Sequence, residues 1–92
     1  MRKNTEAALS AFLAGKSARP AASIWSNGRT IYSYRTPIAE RENGRVYLNR
    51  TRYSRTTTIH QNALAAALPD AVEVHNVPMG RDSVPLSAYV PA

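Results

Sequence analysis

Ser23-Ile24-Trp25-Ser26-Asn27-Gly28-Arg29-Thr30-Ile31-Tyr32-Ser33-Tyr34 is the stretch that decides how this chain folds. Two runs rich in β-branched and aromatic residues flank Asn-Gly, the pair best suited to a two-residue turn because both positions tolerate φ > 0. The spacing predicts a hairpin over 22–34 in which Ser26 faces Arg29, Trp25 faces Thr30 and Ile24 faces Ile31. Ile24 and Ile31 then share one face, while Trp25, Tyr32 and Tyr34 line the other.

The same device recurs downstream. Ile38–Glu42 and Arg45–Asn49 flank Asn43-Gly44, a second hairpin over 38–49. Its register puts Ala39, Arg41, Val46 and Leu48 on one face and Ile38, Glu40 and Tyr47 on the other. Thr36-Pro37 between the hairpins reads as a corner or an edge, because proline has no N–H to give a ladder.

Upstream, residues 5–14 predict a helix, with Leu9, Phe12 and Leu13 on one stripe, Asn4 or Thr5 as its cap and Gly15 as its stop. Residues 16–20 form a polar connector. Downstream, 50–57 is basic and lacks apolar periodicity, so it reads as a loop. Thr58 followed by Gln61 fits a capping box opening a helix over 58–68, with Ile59, Ala63, Leu64, Ala67 and Leu68 facing inward. The alternation of Val72 and Val74 predicts a strand over 71–77, and the tail 78–92 is expected to be irregular, tacked down by Leu86, Tyr89 and Val90. The expected architecture is one α+β domain over 1–92, an antiparallel meander of four to five strands with two short helices. Its core is drawn from Leu9, Phe12, Leu13, Ile24, Trp25, Ile31, Tyr47, Leu48, Leu64, Leu68, Val72 and Val74.

Such a core leaves little room for a substrate cleft, and the residue types argue against catalysis. There is no cysteine, so no disulfide, thiolate nucleophile or zinc thiolate exists. A metal site would need His60 and His75 to converge with Glu73 or Asp70, and a Ser54–His60–Asp70 triad has no supporting spacing. We therefore expect a non-enzymatic protein with no metal and no cofactor. The apolar run near the N-terminus is too short for a signal peptide or a bilayer span, so a soluble, cytoplasmic protein is expected.

Charge is the strongest compositional feature. Twelve basic residues stand against six acidic ones, a net charge of +6 that draws polyanions or acidic protein surfaces. Arg29, Arg35, Arg45, Arg50, Arg52 and Arg55, interleaved with Tyr32, Tyr34 and Tyr53, form the candidate binding surface. Arginine beside exposed tyrosine suits a phosphate backbone with stacked bases, and equally a protein interface. The densest part is Arg50, Arg52 and Arg55, feeding a helix start. Ser54, Thr56, Thr57 and Thr58 there suggest an anion pocket on free backbone N–H groups.

Residues 8–68 resemble small accessory proteins of tailed bacteriophages and prophages. The resemblance rests on Tyr32-Ser33-Tyr34, Ile38-Ala39, Asn43-Gly44, and then Tyr53-Ser54-Arg55-Thr56-Thr57 leading into a helix with an early His60. It implies action by binding, as an inhibitor of a host defence complex of the anti-CRISPR kind. Direct nucleic-acid binding with little sequence preference, or a role in virion assembly, are the alternatives. The expected partner is a host protein complex or a nucleic acid, met as a monomer or dimer in the bacterial cytoplasm, with no membrane involved.

Overall fold

The structure, a computed structural model, describes residues 2–78 and 84–90. In chain order it runs α1 (Lys3–Leu13), β1 (Ser17–Ala21), β2 (Ile24–Asn27), β3 (Thr30–Ser33), β4 (Thr36–Glu42), β5 (Arg45–Asn49), α2 (Arg55–Ala67), β6 (Val72–Val74) and a 3-10 turn, Leu86–Tyr89. The strands form one six-stranded sheet in sequence order. The first five pair antiparallel, and β6 joins β5 in parallel. The α+β class is as expected, but there are more strands than predicted, and the last pairing is not a meander step. A parallel neighbour needs a crossover, and α2 supplies it.

Two differences come from turns that carry no glycine or asparagine. The stretch 16–20, expected as a connector, is mostly strand β1, joined to β2 through Ala22-Ser23. The corner at 34–37 is instead a tight hairpin through Tyr34-Arg35, with Ser33 opposite Thr36. Pro37 thus sits inside a central strand. It is tolerated there because the register shifts beside it, leaving Ile38 as the extra residue of a bulge. The bulge also turns Ile38 into the core beside Ala39, although simple alternation put them on opposite faces.

The first Asn-Gly pair forms a turn, but not the one expected. Trp25 faces Tyr32 and Ser26 faces Ile31, so Gly28-Arg29 is the loop and Asn27 belongs to the strand. Asn27 Oδ1 instead accepts from the N–H groups of Arg29 and Thr30, at 3.0 and 2.8 Å. The shift moves partners by an even count, so the predicted faces survive. The second pair behaves as read: Glu42 faces Arg45, with Asn43 and Gly44 at φ 51° and 77°.

Both helices lie on one face of the sheet. Ala8, Leu9 and Phe12 of α1 and Leu64 of α2 close over Ile24, Ile31, Ile38, Ala39 and Leu48. The helix stripes are rotated from prediction. In α1, Thr5 and Ala8 are buried and Leu13 is exposed; in α2, Thr57, His60 and Gln61 face inward and Ile59 faces out. Arg41 clamps the end of α1, its guanidinium donating to the carbonyls of Phe12 (2.7 Å) and Gly28 (3.0 Å) while lying over the Phe12 ring. A cation on a helix's free C-terminal carbonyls is favourably placed.

The opposite face is divided. Over β4–β6 the 3-10 turn forms a second, smaller core, with Leu86 against Val74 and Val77, flanked by Tyr47 and Tyr89. Glu40 Oε1 accepts from the Leu86 N–H at 3.0 Å. Leu86 and Tyr89 therefore hold the tail as expected, whereas Val90 is exposed. The predicted tail segments 79–83 and 91–92 lie outside the described residues. Over β1–β3 nothing of the described chain covers the sheet to the same extent, and Trp25 and Tyr32 are only half-buried there.

Candidate functional site: a basic and aromatic end

The antiparallel connections bring one set of loops to a single end of the sheet. Here lie the start of α1, the 22–23 turn, the 34–35 turn and the segment joining β5 to α2. Arg2, Lys3, Arg35, Arg52 and Arg55 are exposed on these parts, and exposed Arg19 reaches the same end from β1, with Glu6 as the nearby acid. Glu42, by contrast, flanks the opposite end, where its carboxylate lies 3.7 Å from Arg29. A field of one sign at one end steers acidic or polyanionic partners towards it.

The most built part of that end is a cleft of about 830 Å³ lined by Arg19, Ala21, Ala22, Trp25, Tyr34, Arg35 and Thr36. Its floor is a cross-strand ladder. Trp25 on β2 stacks on Tyr32 of β3 with centroids 4.1 Å apart and planes 11° from parallel. Arg19 on β1 places its guanidinium carbon 4.2 Å from the Trp25 centroid. Such cross-strand contacts hold a sheet, and a guanidinium over an indole adds about 0.5–1 kcal/mol at an exposed site. The Trp25 Nε1–H donates to the Tyr34 carbonyl at 2.7 Å, tying the ladder to the 34–35 turn.

Tyr34 itself is strained. It holds φ 56°, a left-handed conformation that a bulky residue adopts rarely and at a cost of about 1–3 kcal/mol, yet its ring is exposed. Glycine would fit the turn without that cost. Strain and exposure thus coincide at Tyr34, in the turn that borders the cleft.

The predicted site residues do not form one surface. Tyr32, Tyr34 and Arg35 come together with Arg19 and Trp25, neither of which the sequence reading placed in the site. Arg52 and Arg55 line a neighbouring hollow with Tyr53, Ser54, Thr58 and Ile59. Arg29 and Arg45 lie at the far end, beside the turns they flank. Arg50 is engaged within the fold, donating to the Gln61 carbonyl at 3.1 Å and Asn62 Oδ1 at 3.3 Å. Tyr53 is likewise held, its hydroxyl donating to the Val77 carbonyl at 2.6 Å and accepting from Asn49 Nδ2. Periodicity around the hairpin had pointed to Trp25; Arg19 had no signal, since its strand was hidden.

Three of the four hydroxyls expected to cradle an anion, those of Ser54, Thr57 and Thr58, bond within the first turn of α2 instead. Ser54, not Thr58, is the N-cap, so α2 begins at Arg55 and Gln61 is free of any capping box. Gln61 donates to the carbonyls of Asn49 (2.7 Å) and Thr51 (2.9 Å). Thr57 N–H donates to Ser54 Oγ, Ser54 donates to Thr57 Oγ1, and Thr58 donates to the Ser54 carbonyl. Thr57 Oγ1 and buried Ser33 Oγ share a 3.0 Å hydrogen bond, and Ser33 Oγ lies 2.8 Å from His60 Nδ1. Much of the Tyr-Ser-x-Thr-Thr stretch and its early histidine therefore builds a buried polar seam joining α2 to β3. Among the described residues no group of three or more His, Cys, Asp or Glu side chains is placed to hold a metal ion, and no helix is long and apolar enough to cross a membrane.

Burial pushes the His60 imidazole below its ordinary pKa of 6.5, with nearby Arg2 adding to the effect. A base whose folded pKa is depressed binds its proton more readily when unfolded. Stability is thus unaffected by His60 above about pH 6.5 and falls as pH drops below it, towards the folded value. Chemical unfolding at about pH 7.5 and pH 5.5 checks this. The midpoint should fall on acidification, and His60→Gln should flatten that slope even though it lowers stability overall.

The chain is thus an α+β domain, a six-stranded sheet with two helices on one face and a basic, aromatic end. Residues 3–73 match the family of unknown function DUF8033, and the chain belongs to that family. No curated protein and no solved structure matches it.

Proposed function

We propose that this is a non-enzymatic, phage-type binding protein that docks its basic and aromatic end onto an acidic surface of a host protein complex in the bacterial cytoplasm, as an anti-defence inhibitor of the anti-CRISPR kind would. The supporting observation is the Arg19–Trp25–Tyr32 ladder beside the strained, exposed Tyr34 and Arg35. Trp, Tyr and Arg are the residue types that dominate interface hot spots, and rigid ones lose little entropy on docking. β1 and β3 flank β2, so Arg19 and Tyr32 cover the two faces of the Trp25 indole. A nucleobase would have to displace Arg19 to stack there, whereas a protein surface uses the open ring edge. The resemblance to phage accessory proteins supplies the setting.

Direct nucleic-acid binding is the second reading, favoured by the six exposed cations at one end and by the Tyr34 ring, which a base could cover. Affinity capture from a host with an active defence complex tests the first. One dominant complex should be retained, and Arg35→Glu combined with Arg52→Glu and Arg55→Glu should abolish its capture with the fold intact. Unchanged capture by that triple variant would sink the docking surface. Binding of oligonucleotides that falls steeply with salt, without a protein complex, would instead establish the second reading.

A further inference from the structure

The cleft beside Trp25 holds cations without counterions above a low apolar floor, and that chemistry narrows what enters it. We propose, resting on the docking reading, that it takes an extended linear segment of the partner in which two acidic side chains flank an apolar one. The carboxylates would meet Arg19 and Arg35, and the apolar side chain would lie against Ala21, Ala22 and the edge of Trp25.

Charge is the first support. Among the described residues the Arg35 guanidinium makes no hydrogen bond or ion pair, and that of Arg19 makes only its contact with the Trp25 ring. Both side chains are exposed, and no carboxylate lines the cleft. Two guanidiniums with unused N–H donors thus stand beside an apolar floor, where a carboxylate gains charge-assisted hydrogen bonds. A second copy of this chain is a poor occupant, since each copy carries a net charge of +6. A nucleobase is disfavoured because Arg19 and Tyr32 cover both faces of the indole.

Shape is the second. The small side chains of Ala21 and Ala22 keep the floor low, and the cleft of about 830 Å³ has room for a few side chains. β1, which supplies Arg19 and Ala21, is the outermost strand, and among the described residues no strand pairs with its outer edge. An extended chain can lie along that edge. Pro20 has no N–H to give, and the pairing of β1 is irregular between Ala18 and Ala21, so a continuous ladder cannot form there. Recognition therefore falls to side chains, and a strand lacking the carboxylates gains little.

Trp25 is the only tryptophan, so its fluorescence reports on the cleft directly. The test titrates the protein with the acetylated, amidated peptide Asp-Ala-Leu-Ala-Asp, whose first, third and fifth side chains share a face when extended, and with its Asn-Ala-Leu-Ala-Asn twin. A saturable change is expected with the acidic peptide. Affinity should fall at least about tenfold for the twin, and likewise in Arg35→Gln, through loss of charge-assisted hydrogen bonds. Arg45→Gln, at the far end, should titrate as the parent does. No saturable response, an equal response to the twin, or full affinity in Arg35→Gln would overturn the linear segment. So would a larger response to a short oligothymidine, which assigns the cleft to nucleic acid, or a change on diluting the protein alone, which assigns it to a second copy. Capture of a host complex is scored separately. Capture that Trp25→Ala abolishes, with no peptide response, keeps the docking surface and removes the linear segment; a peptide response with no complex captured does the reverse.

Discussion

Gly28→Ala is expected to destabilise the fold by roughly 2–4 kcal/mol, the sum of left-handed strain and overpacking. Gly28 sits at φ 99°, and an added Cβ would come 2.9 Å from the Gly15 carbonyl oxygen, a backbone atom that cannot swing aside. The turn is docked on the end of α1 from several directions. Gly28 N–H donates to Ser26 Oγ, whose own hydroxyl donates to the Lys16 carbonyl, and Arg41 holds the Gly28 carbonyl. A methyl group there pushes the β2–β3 turn off the helix and loosens all three contacts together. For a domain of this size each kcal/mol is worth about 4–8 °C, so thermal melting should show a fall of more than about 10 °C. Gly44→Ala is the control. It also has φ > 0, at 77°, but faces open space, so only the conformational cost of about 1 kcal/mol remains. Equal losses in the two variants would refute the docking of the first turn.

Trp25→Ala should remove partner capture by about 30-fold or more, the effect of deleting a hot-spot side chain worth about 2 kcal/mol. It also breaks the ladder, freeing Arg19, uncovering Tyr32 and leaving the Tyr34 carbonyl without its donor, so some stability is lost with it. Tyr34→Gly separates the two roles. Removing a strained residue with an exposed ring should raise stability by up to about 1 kcal/mol, because glycine adopts the left-handed turn freely. The same change should weaken capture. A gain in stability with a loss of binding is the signature of a residue held for function. If Tyr34→Gly binds as well as the parent, the turn's strain has another origin and the docking face must exclude it.

Much of the scaffold is legible from local chemistry. Asn43-Gly44 defines its hairpin because the type I′ turn demands two left-handed residues, and the chain offers Asn and Gly there. Alternation along 24–33 sorts Ile24 and Ile31 inward and Trp25 and Tyr32 outward, and that sorting holds although the turn moved by one residue. Less legible are turns without a signature residue. Tyr34-Arg35 and Ala22-Ser23 turn because the strands on either side pair, so β1, and with it Arg19 as part of the site, was hidden. The helix stripes also rotated. Thr57, His60 and Gln61 are polar and lie off the predicted inward face, yet the fold satisfies them on Ser33, Asn49 and Thr51 and can bury them.

The sequence by itself determined the α+β class, the two Asn-Gly hairpins, the faces of their strands except at Ile38, and the excess of positive charge, since each depends on neighbours within a few residues. Only the tertiary structure decided which cations lie together. Arg29 and Arg45 were carried to one end, Arg50 was drawn into the fold by α2, and Arg2, Lys3, Arg19, Arg35, Arg52 and Arg55 were gathered at the other. The physical reason is that strand reversal and the parallel crossover of β6 juxtapose residues by pairing, and pairing answers to packing across the whole sheet.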